Sequence, residues 1–548
     1  MQDQLRHTIW GEITGPWDLL IIGGGIVGAG LLREASQVGL RALLVEGNDF
    51  ASGTSSRSSK MVHGGLRYLS TGQIKLTMES VHERQRLLHE GRGLIDPLEF
   101  LLVSYKGDRP PAWIFAVGLM VYDTLAMKWQ HQHESANEVE MLCPQLPRDK
   151  LAGGFRFFDA QTDDARMVLR VLQEGIRAGG TAVNYMRAEG LLRERSGKIC
   201  GARLRDQVTG RTAEVRAKVV VNATGAWADE LRGQAGRPPR LRQLCGSHLI
   251  FPRQKLPVNK VISFLHPLDR RPVFAFPWEG VTLVGTTDVD YSRPMETNPR
   301  ISDGEVDYLM EAVTATFGCL DLQISDVQAT LAGIRSVLDT GKANPSREAR
   351  DEVLWNEDGL VTITGGKLTM FRRMAQKTLG FIRPSLPAHP HPDRRARALD
   401  EIQSWDCPAV ADQLGLDPAL QLRLLGRYGH AAGDLLSAAG TDELTPIRST
   451  PTLWAELRWA ARAEQVVHLE DLLLRRTRLG LLLPAGGLAE FDRIRAICQA
   501  ELGWNVQRWQ MEASNYLALW QRSYSPPGAE NSSVSAGIPI ACPTLEAR

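Results

Sequence analysis

A short apolar run, Trp17-Asp18-Leu19-Leu20-Ile21-Ile22, breaks at Gly23-Gly24-Gly25-Ile26-Val27-Gly28 and passes into a helical pattern carried by Leu31, Leu32 and Ala35. No other stretch restricts the fold so tightly. The run reads as a buried parallel strand, and each glycine of the G-x-G-x-x-G turn has its own job. Gly23 permits the tight turn, Gly25 lets a pyrophosphate approach the backbone, and Gly28 lets helix and strand pack closely. The helix N-terminus offers unpaired N–H groups and positive dipole to an anion. A second apolar run, Ala42 to Val45, ends at Glu46, placed to accept hydrogen bonds from a ribose diol. Strand, turn, helix, strand and acid agree, so an α/β, dinucleotide-binding fold is expected.

The following segment has a different chemistry. Asn48 to Lys60 is rich in hydroxyls, including Thr54, Ser55, Ser58 and Ser59, and reads as a loop folded over cofactor phosphates rather than a solvated turn. In His63-Gly64-Gly65-Leu66-Arg67-Tyr68, paired glycines beside a His, an Arg and a Tyr point to backbone lying against a ligand. Asp159, Asp163 and Asp164 precede an apolar-periodic run and read as a helix N-terminus rather than a metal site. Val219 to Asn222 is another buried strand, and it runs into Ala223-Thr224-Gly225. That places Thr224 and Gly225 at the carboxyl edge of the sheet, where ligands of such folds collect. From about Leu241 to Leu331 short strands alternate with Pro, Asp and Gly turns, as in an inserted antiparallel substrate domain. It carries Gly246-Ser247-His248 and Gly285-Thr286-Thr287-Asp288, and the chain returns through Arg335. Gly359 to Thr364 then breaks into Gly365-Gly366-Lys367-Leu368-Thr369 and a helix, a second strand–glycine–helix unit.

These signals divide the chain. Residues 15–95, 150–245 and 332–383 read as the cofactor domain, and 96–149 with 246–331 as the substrate or cap domain. Proline-rich 384–400 reads as a linker, mainly helical 401–523 as a C-terminal domain, and 524–548 as a disordered tail. Arg475, Arg476 and Arg478 read as a solvated or salt-bridged helix face, with an interface as the alternative.

Composition narrows the partners. A net charge of +1 gives no global field for nucleic acid, so an anion must be held by local cations. The seven cysteines are scattered singly, which fits free thiols in a reducing compartment. No charged start followed by an apolar core and cleavage site is visible, so no secretory signal is expected. Ala112 to Met127 is apolar but shorter than the ~20 residues that span a bilayer. It reads first as a largely buried helix and second as a membrane-surface contact.

Taken in order, Ile22-Gly23-Gly24-Gly25, Thr54 to Lys60, His63 to Tyr68, Val221 to Gly225, Gly246-Ser247-His248, Gly285 to Asp288 and Gly365 to Thr369 resemble the FAD-dependent glycerol-3-phosphate dehydrogenases. The resemblance is strong over residues 15 to 380. It implies a glutathione-reductase-like, D-amino-acid-oxidase-type FAD-binding Rossmann domain. It also implies oxidation of sn-glycerol 3-phosphate to dihydroxyacetone phosphate, a quinone acceptor, and peripheral contact of a cytoplasmic protein with the inner face of the cytoplasmic membrane; a homodimer is a candidate assembly. By position, Arg67, Arg335 and Lys367 line the substrate site with Tyr68 close by, and His248 matches the family's GSH histidine. The cofactor would lie on Gly23, Gly25, Gly28, Glu46, Thr54, Ser55, Ser58, Ser59, the His63–Leu66 stretch (with Gly64 and Gly65), Thr224, Gly225 and Gly366 to Thr369. Two departures stand out: Ser336 follows the substrate arginine where the family has Pro, and Met370-Phe371 replaces Thr-Tyr.

Residue types fit this chemistry. Arginine's planar fork suits a phosphate. His248 is the first candidate base and Lys367 the second. Three rivals remain open at this level: a flavin oxidase acting on an amine, amino acid or another hydroxy compound, an NAD enzyme, and a non-catalytic flavoprotein.

Overall fold

A computed structural model describes residues 2–65, 74–109, 111–342, 348, 352–401 and 415–528. The Trp17–Ile22 strand is buried except at half-exposed Asp18 and pairs in parallel on both sides, with Thr212–Asn222 and with Ala42–Val45. A strand enclosed on both faces must be apolar at successive positions, which is how this run reads. Thr181–Val183 and Leu360–Thr364 extend the parallel order, and Val353–Glu357 closes the edge antiparallel. Met186–Arg193 and Ile199–Asp206 continue from Thr212–Asn222 as an antiparallel meander. Helices Ile26–Gln37, Asp164–Arg177 and Phe371–Ile382 share a core with one sheet face, centred on Leu19, Ile21 and Val221. Each such fully buried side chain contributes about 1.5–3 kcal/mol.

Among the described residues the second sheet has ten strands. Leu241–Pro252 pairs antiparallel with Val281–Gly285 and with Ala329–Leu338. The sheet is mixed rather than purely antiparallel, because Val261–Leu265 runs parallel to Ile95–Tyr105. Leu151–Thr162, expected in the cofactor domain, belongs to this second sheet. Its buried positions largely alternate, and it pairs along its length with Ile95–Tyr105.

Packing also redraws the C-terminal half. Residues 384–400 do not form a free linker: Ala398 and Leu399 are buried in the cofactor-domain core, and Arg33 and Arg372 donate to the carbonyls of Arg397 and Arg394. The C-terminal helices share a core with the second sheet, in which Phe276, Trp278 and Leu331 meet Leu457, Leu473 and Trp520. The expected tail begins too early at 524. Tyr524 is buried, its hydroxyl donates to Asn298 Oδ1 at 2.8 Å, and its carbonyl accepts from Thr330 N. Residues 529–548 lie outside the described residues.

Arg475, Arg476 and Arg478 are not a solvated face. They are buried, in and beside a single π-helical turn at Leu472–Arg476, and reach into the cofactor domain. Arg476 grips Asp49 with Nη1–Oδ2 at 2.6 Å and Nη2–Oδ1 at 2.8 Å, and Arg478 Nη2 donates to Ser56 O at 2.9 Å.

Ala112–Ala126 is helical but not largely buried. Trp113, Ile114, Val117, Met120 and Val121 face outward, because among the described residues the fold buries only the Leu119, Tyr122 and Ala126 side of the helix.

Candidate active site

A cavity of about 680 Å³ opens where the carboxyl ends of the parallel strands meet the second sheet. Its nucleotide end is built from turns. Gly23, at φ +119°, and Gly25 line it after the first strand, and Thr224 and Gly225 line it after the neighbouring one. Gly28 lies behind the wall, where a Cβ would stand 1.9 Å from Gly23 O, so no other residue fits without moving the turn. Ser55 Oγ accepts from Ile26 N at 3.0 Å, which puts a hydroxyl at the helix N-terminus. Glu46 lines the cavity, accepting from Gly24 N at 2.7 Å and Asn48 N at 2.8 Å. Burial pushes its carboxyl up, against those two bonds.

Thr54, Ser55 and Ser58 reach the cavity from the hydroxyl-rich loop. That loop is anchored by side-chain bonds: Thr54 Oγ1 donates to Ile334 O, Ser58 Oγ donates to Asp164 Oδ2 at 2.7 Å, and Lys60 Nζ donates to Asp164 Oδ1 at 2.8 Å. Asp163 caps the Asp164–Arg177 helix, accepting from Arg166 N, as the acidic cluster indicated.

The substrate end is built from side chains. Arg335 and Lys367 both line the cavity. Arg335 leaves the Ala329–Leu338 strand and pairs with buried Asp288 of the Gly285–Asp288 motif. Lys367 follows the Leu360–Thr364 strand, with Nζ donating to Ser80 Oγ at 3.3 Å. Gly366 and Leu368 line the cavity beside it, while Thr369 is buried and donates to His63 O.

Several expected residues sit elsewhere. His248 is buried one layer behind the wall, Nε2 bonded to Ser59 Oγ at 2.9 Å and the ring packed on Gly285. Burial first, then the charges of Lys60 and Arg335, push it down to about 3. Ser59 thus faces His248 rather than the cavity, and His63, Gly64 and Gly65 are likewise not among its lining residues. Leu66, Arg67 and Tyr68 lie outside the described residues.

The two departures separate in space. Ser336 lines the cavity and its hydroxyl donates to Gln243 Oε1 at 2.6 Å. Met370 and Phe371 are core residues, with Phe371 against Gly30 of the Ile26–Gln37 helix. Sequence reasoning missed Trp227 and Gln234 beside Thr224, Arg187 and Glu189 from the antiparallel meander, and Met295 and Thr297. Trp227 could have been found, since it directly follows the Gly225 turn. The others carry no local motif.

A glycine-lined turn at a helix N-terminus, an acid at the second strand's end and a long cavity fit a flavin dinucleotide. Glu46 would hold the ribose, the Gly23–Gly28 turn and Ser55 the pyrophosphate, and the Gly365–Leu368 segment would flank the flavin ring.

Comparison with known proteins agrees. Residues 18–371 match the family described as FAD dependent oxidoreductase, and residues 364–509 match the C-terminal domain of alpha-glycerophosphate oxidase. A glycerol-3-phosphate dehydrogenase of Mycobacterium leprae is 33% identical over 539 residues, covering 94% of this chain and 90% of the relative. An aerobic glycerol-3-phosphate dehydrogenase of Staphylococcus aureus is 32% identical, covering 84% and 86%. The solved glycerol-3-phosphate dehydrogenase of Bacillus halodurans, complexed with FAD, superimposes with TM-score 0.76 at 28% identity, over 94% of this chain and 97% of that one. An L-alpha-glycerophosphate oxidase of Mycoplasma pneumoniae shares the fold, with TM-score 0.56 at 17% identity, over 69% and 96% of the two chains. The chain therefore belongs to the FAD-dependent glycerol-3-phosphate dehydrogenase family, with FAD as its cofactor.

Proposed function

We propose that this chain oxidises sn-glycerol 3-phosphate to dihydroxyacetone phosphate and passes the electrons to a quinone at a membrane surface. The observation that carries the reading is the convergence of Arg335 and Lys367, from different sheets, on the cavity that also holds the dinucleotide turn. When bound, the flavin supplies the acceptor for a hydride from the secondary alcohol carbon. Arg335, held by Asp288, presents a guanidinium fork to the phosphate. Ser336 Oγ, already donating to Gln243, borders that contact as an acceptor.

The alcohol proton needs a group at the wall. His248 is closed off behind Ser59, and a ring held near a pKa of 3 is a weak proton acceptor at neutral pH. This geometry favours Lys367 Nζ for the role that the residue types gave first to His248. The structure has no described helix long and apolar enough to cross a membrane, so a quinone would be met from the membrane face.

The test is anaerobic mixing of glycerol 3-phosphate with the purified flavoprotein. Loss of flavin absorbance with this substrate, and not with glycine or sarcosine, is expected, followed by faster reoxidation by a quinone analogue than by oxygen. Bleaching by the amino acids instead would move the protein to the amine-oxidising reading. Lys367→Ala is expected to slow bleaching far more than His248→Ala.

A further inference from the structure

Two motifs of the second sheet, Gly246-Ser247-His248 and Gly285-Thr286-Thr287-Asp288, meet at one buried carboxylate that belongs to neither. Glu305 lies in the first turn of the Asp303–Phe317 helix. Its Oε2 accepts from Ser302 N at 3.0 Å and from Ser302 Oγ at 2.8 Å, which completes a capping box. The cap asks no more of this side chain. Oε1 turns the other way and accepts from Ser247 Oγ at 2.8 Å and from Thr287 Oγ1 at 2.6 Å. Thr287 Oγ1 in turn accepts from Ser247 N at 2.8 Å. A carboxylate only accepts, so both hydroxyl protons are directed at Glu305 and Thr287 keeps a lone pair for Ser247 N.

We propose that Glu305 is a positioning residue for Arg335, acting through Thr287 and Asp288 to fix where the guanidinium fork stands in the cavity. The contacts form a closed ring. Asp288 directly follows Thr287, is buried, and pairs with Arg335. Arg335 leaves the Ala329–Leu338 strand, which pairs with Leu241–Pro252, the strand that carries Ser247. Glu305 therefore holds both ends of the Asp288–Arg335 pair, one through Thr287 and the other through Ser247. Arg335 lines the cavity, whereas Ser247, Thr287, Asp288 and Glu305 do not, so their route to a ligand is Arg335.

A long arginine side chain has many rotamers within reach, and a fixed ion partner selects among them. Asp288 has a second cation to turn to, since its Oδ2 lies 3.6 Å from Arg271 Nη2. Thr287, tied to Glu305, keeps the backbone beside Asp288 in the place that favours Arg335. The functional meaning rests on the proposed contact between Arg335 and the substrate phosphate.

The experiment is calorimetric titration of the holoenzyme with glycerol 2-phosphate, which carries the phosphate but no free secondary alcohol to oxidise. Thr287→Val keeps the shape and removes the hydroxyl. Binding roughly five- to tenfold weaker is expected, with full flavin content. Thr287→Ser keeps the hydroxyl and is expected to bind like the wild type. In an Arg335→Ala background Thr287→Val is expected to add no further loss, because residues acting through one contact are not additive. Ser302→Ala removes the cap hydroxyl and leaves the Oε1 bonds in place, so a lower thermal midpoint with unchanged binding is expected. Should Thr287→Val not fold, Glu305→Gln reads the same joint, since glutamine keeps the cap with its oxygen and turns an amide nitrogen to the two hydroxyls. Wild-type binding in Thr287→Val overturns the proposal. So do losses that multiply in the double variant, or a Ser302→Ala protein that loses as much affinity. An Arg335→Ala protein that binds glycerol 2-phosphate like the wild type overturns it as well. The proposed reaction fails separately: a wild-type flavin that glycerol 3-phosphate never bleaches would sink that reaction and leave this binding pattern standing.

Discussion

At the nucleotide end of the cavity the wall is largely backbone. Gly23, Gly25, Thr224 and Gly225 come from turns that leave adjacent parallel strands, and the Ser55 hydroxyl, the Glu46 carboxylate and the Trp227 ring stand beside them. At the substrate end the wall is long and charged. Arg335 comes from one sheet and Lys367 from the other. Backbone geometry serves a ligand part that never changes, because turns are rigid and their N–H groups need no side-chain ordering. Side chains from separate sheets serve the part that sets specificity, because they can be exchanged without disturbing a turn. The nucleotide end has a further support. The C-terminal arginines clamp Asp49 and the carbonyl of Ser56 from behind.

That contrast can be broken first at the clamp. Arg476→Ala leaves the buried Asp49 carboxylate with fewer partners, and loss of a buried pair costs about 3–5 kcal/mol. A large fall in thermal midpoint is expected, together with weaker flavin retention on gel filtration. Unchanged retention would separate the clamp from the cofactor loop. Gly28→Ala is next. Its Cβ would meet Gly23 O at 1.9 Å, and overpacking of that kind costs about 1–3 kcal/mol. Here the purified protein should be colourless, which absorbance reads directly.

Arg335→Ala should act on the other end alone. Loss of a charge-assisted bond of about 1.5–3 kcal/mol predicts roughly a ten- to hundredfold weaker apparent affinity for glycerol 3-phosphate with full flavin content. A colourless Arg335→Ala protein would show that the two ends are not separable.

Acid titration gives a smaller, directional test. Burial alone would raise the Asp49 carboxyl, but Arg476 and Arg475 outweigh it and hold it at about 2, below the ordinary 3.8. A carboxyl lowered in the folded state adds stability above its unfolded value, and that stability is lost as pH falls from about 4 towards 2. Urea midpoints across that range should fall, and less steeply in Asp49→Asn. The smallest effect is expected from Ser336→Pro. It removes one hydroxyl bond to Gln243, worth about 1 kcal/mol, so substrate affinity should shift only severalfold.

Legibility followed the range of the contact. The first strand, its glycine turn and Glu46 are local, and each lies where the spacing places it. Arg335 and Lys367 were found through the order of motifs and not through any local rule, and the cavity unites them. His248 was read as the first candidate base, but a strand residue's side is set by register. Opposite Gly285 in the paired strand, its ring lies behind Ser59. The arginine cluster read as a solvated or salt-bridged helix face, with an interface as the alternative, and only its burial against Asp49 and Asp164 singles out an ion-paired internal joint.

By itself the sequence determined the parallel strands, the dinucleotide turn and the flavin family, because these depend on residues a few positions apart and on strict steric needs. The tertiary structure alone decided which apolar helix stays uncovered, which histidine is shut away and which arginines bridge domains. Those outcomes depend on what packs against each side chain, and no neighbour in the chain supplies that partner.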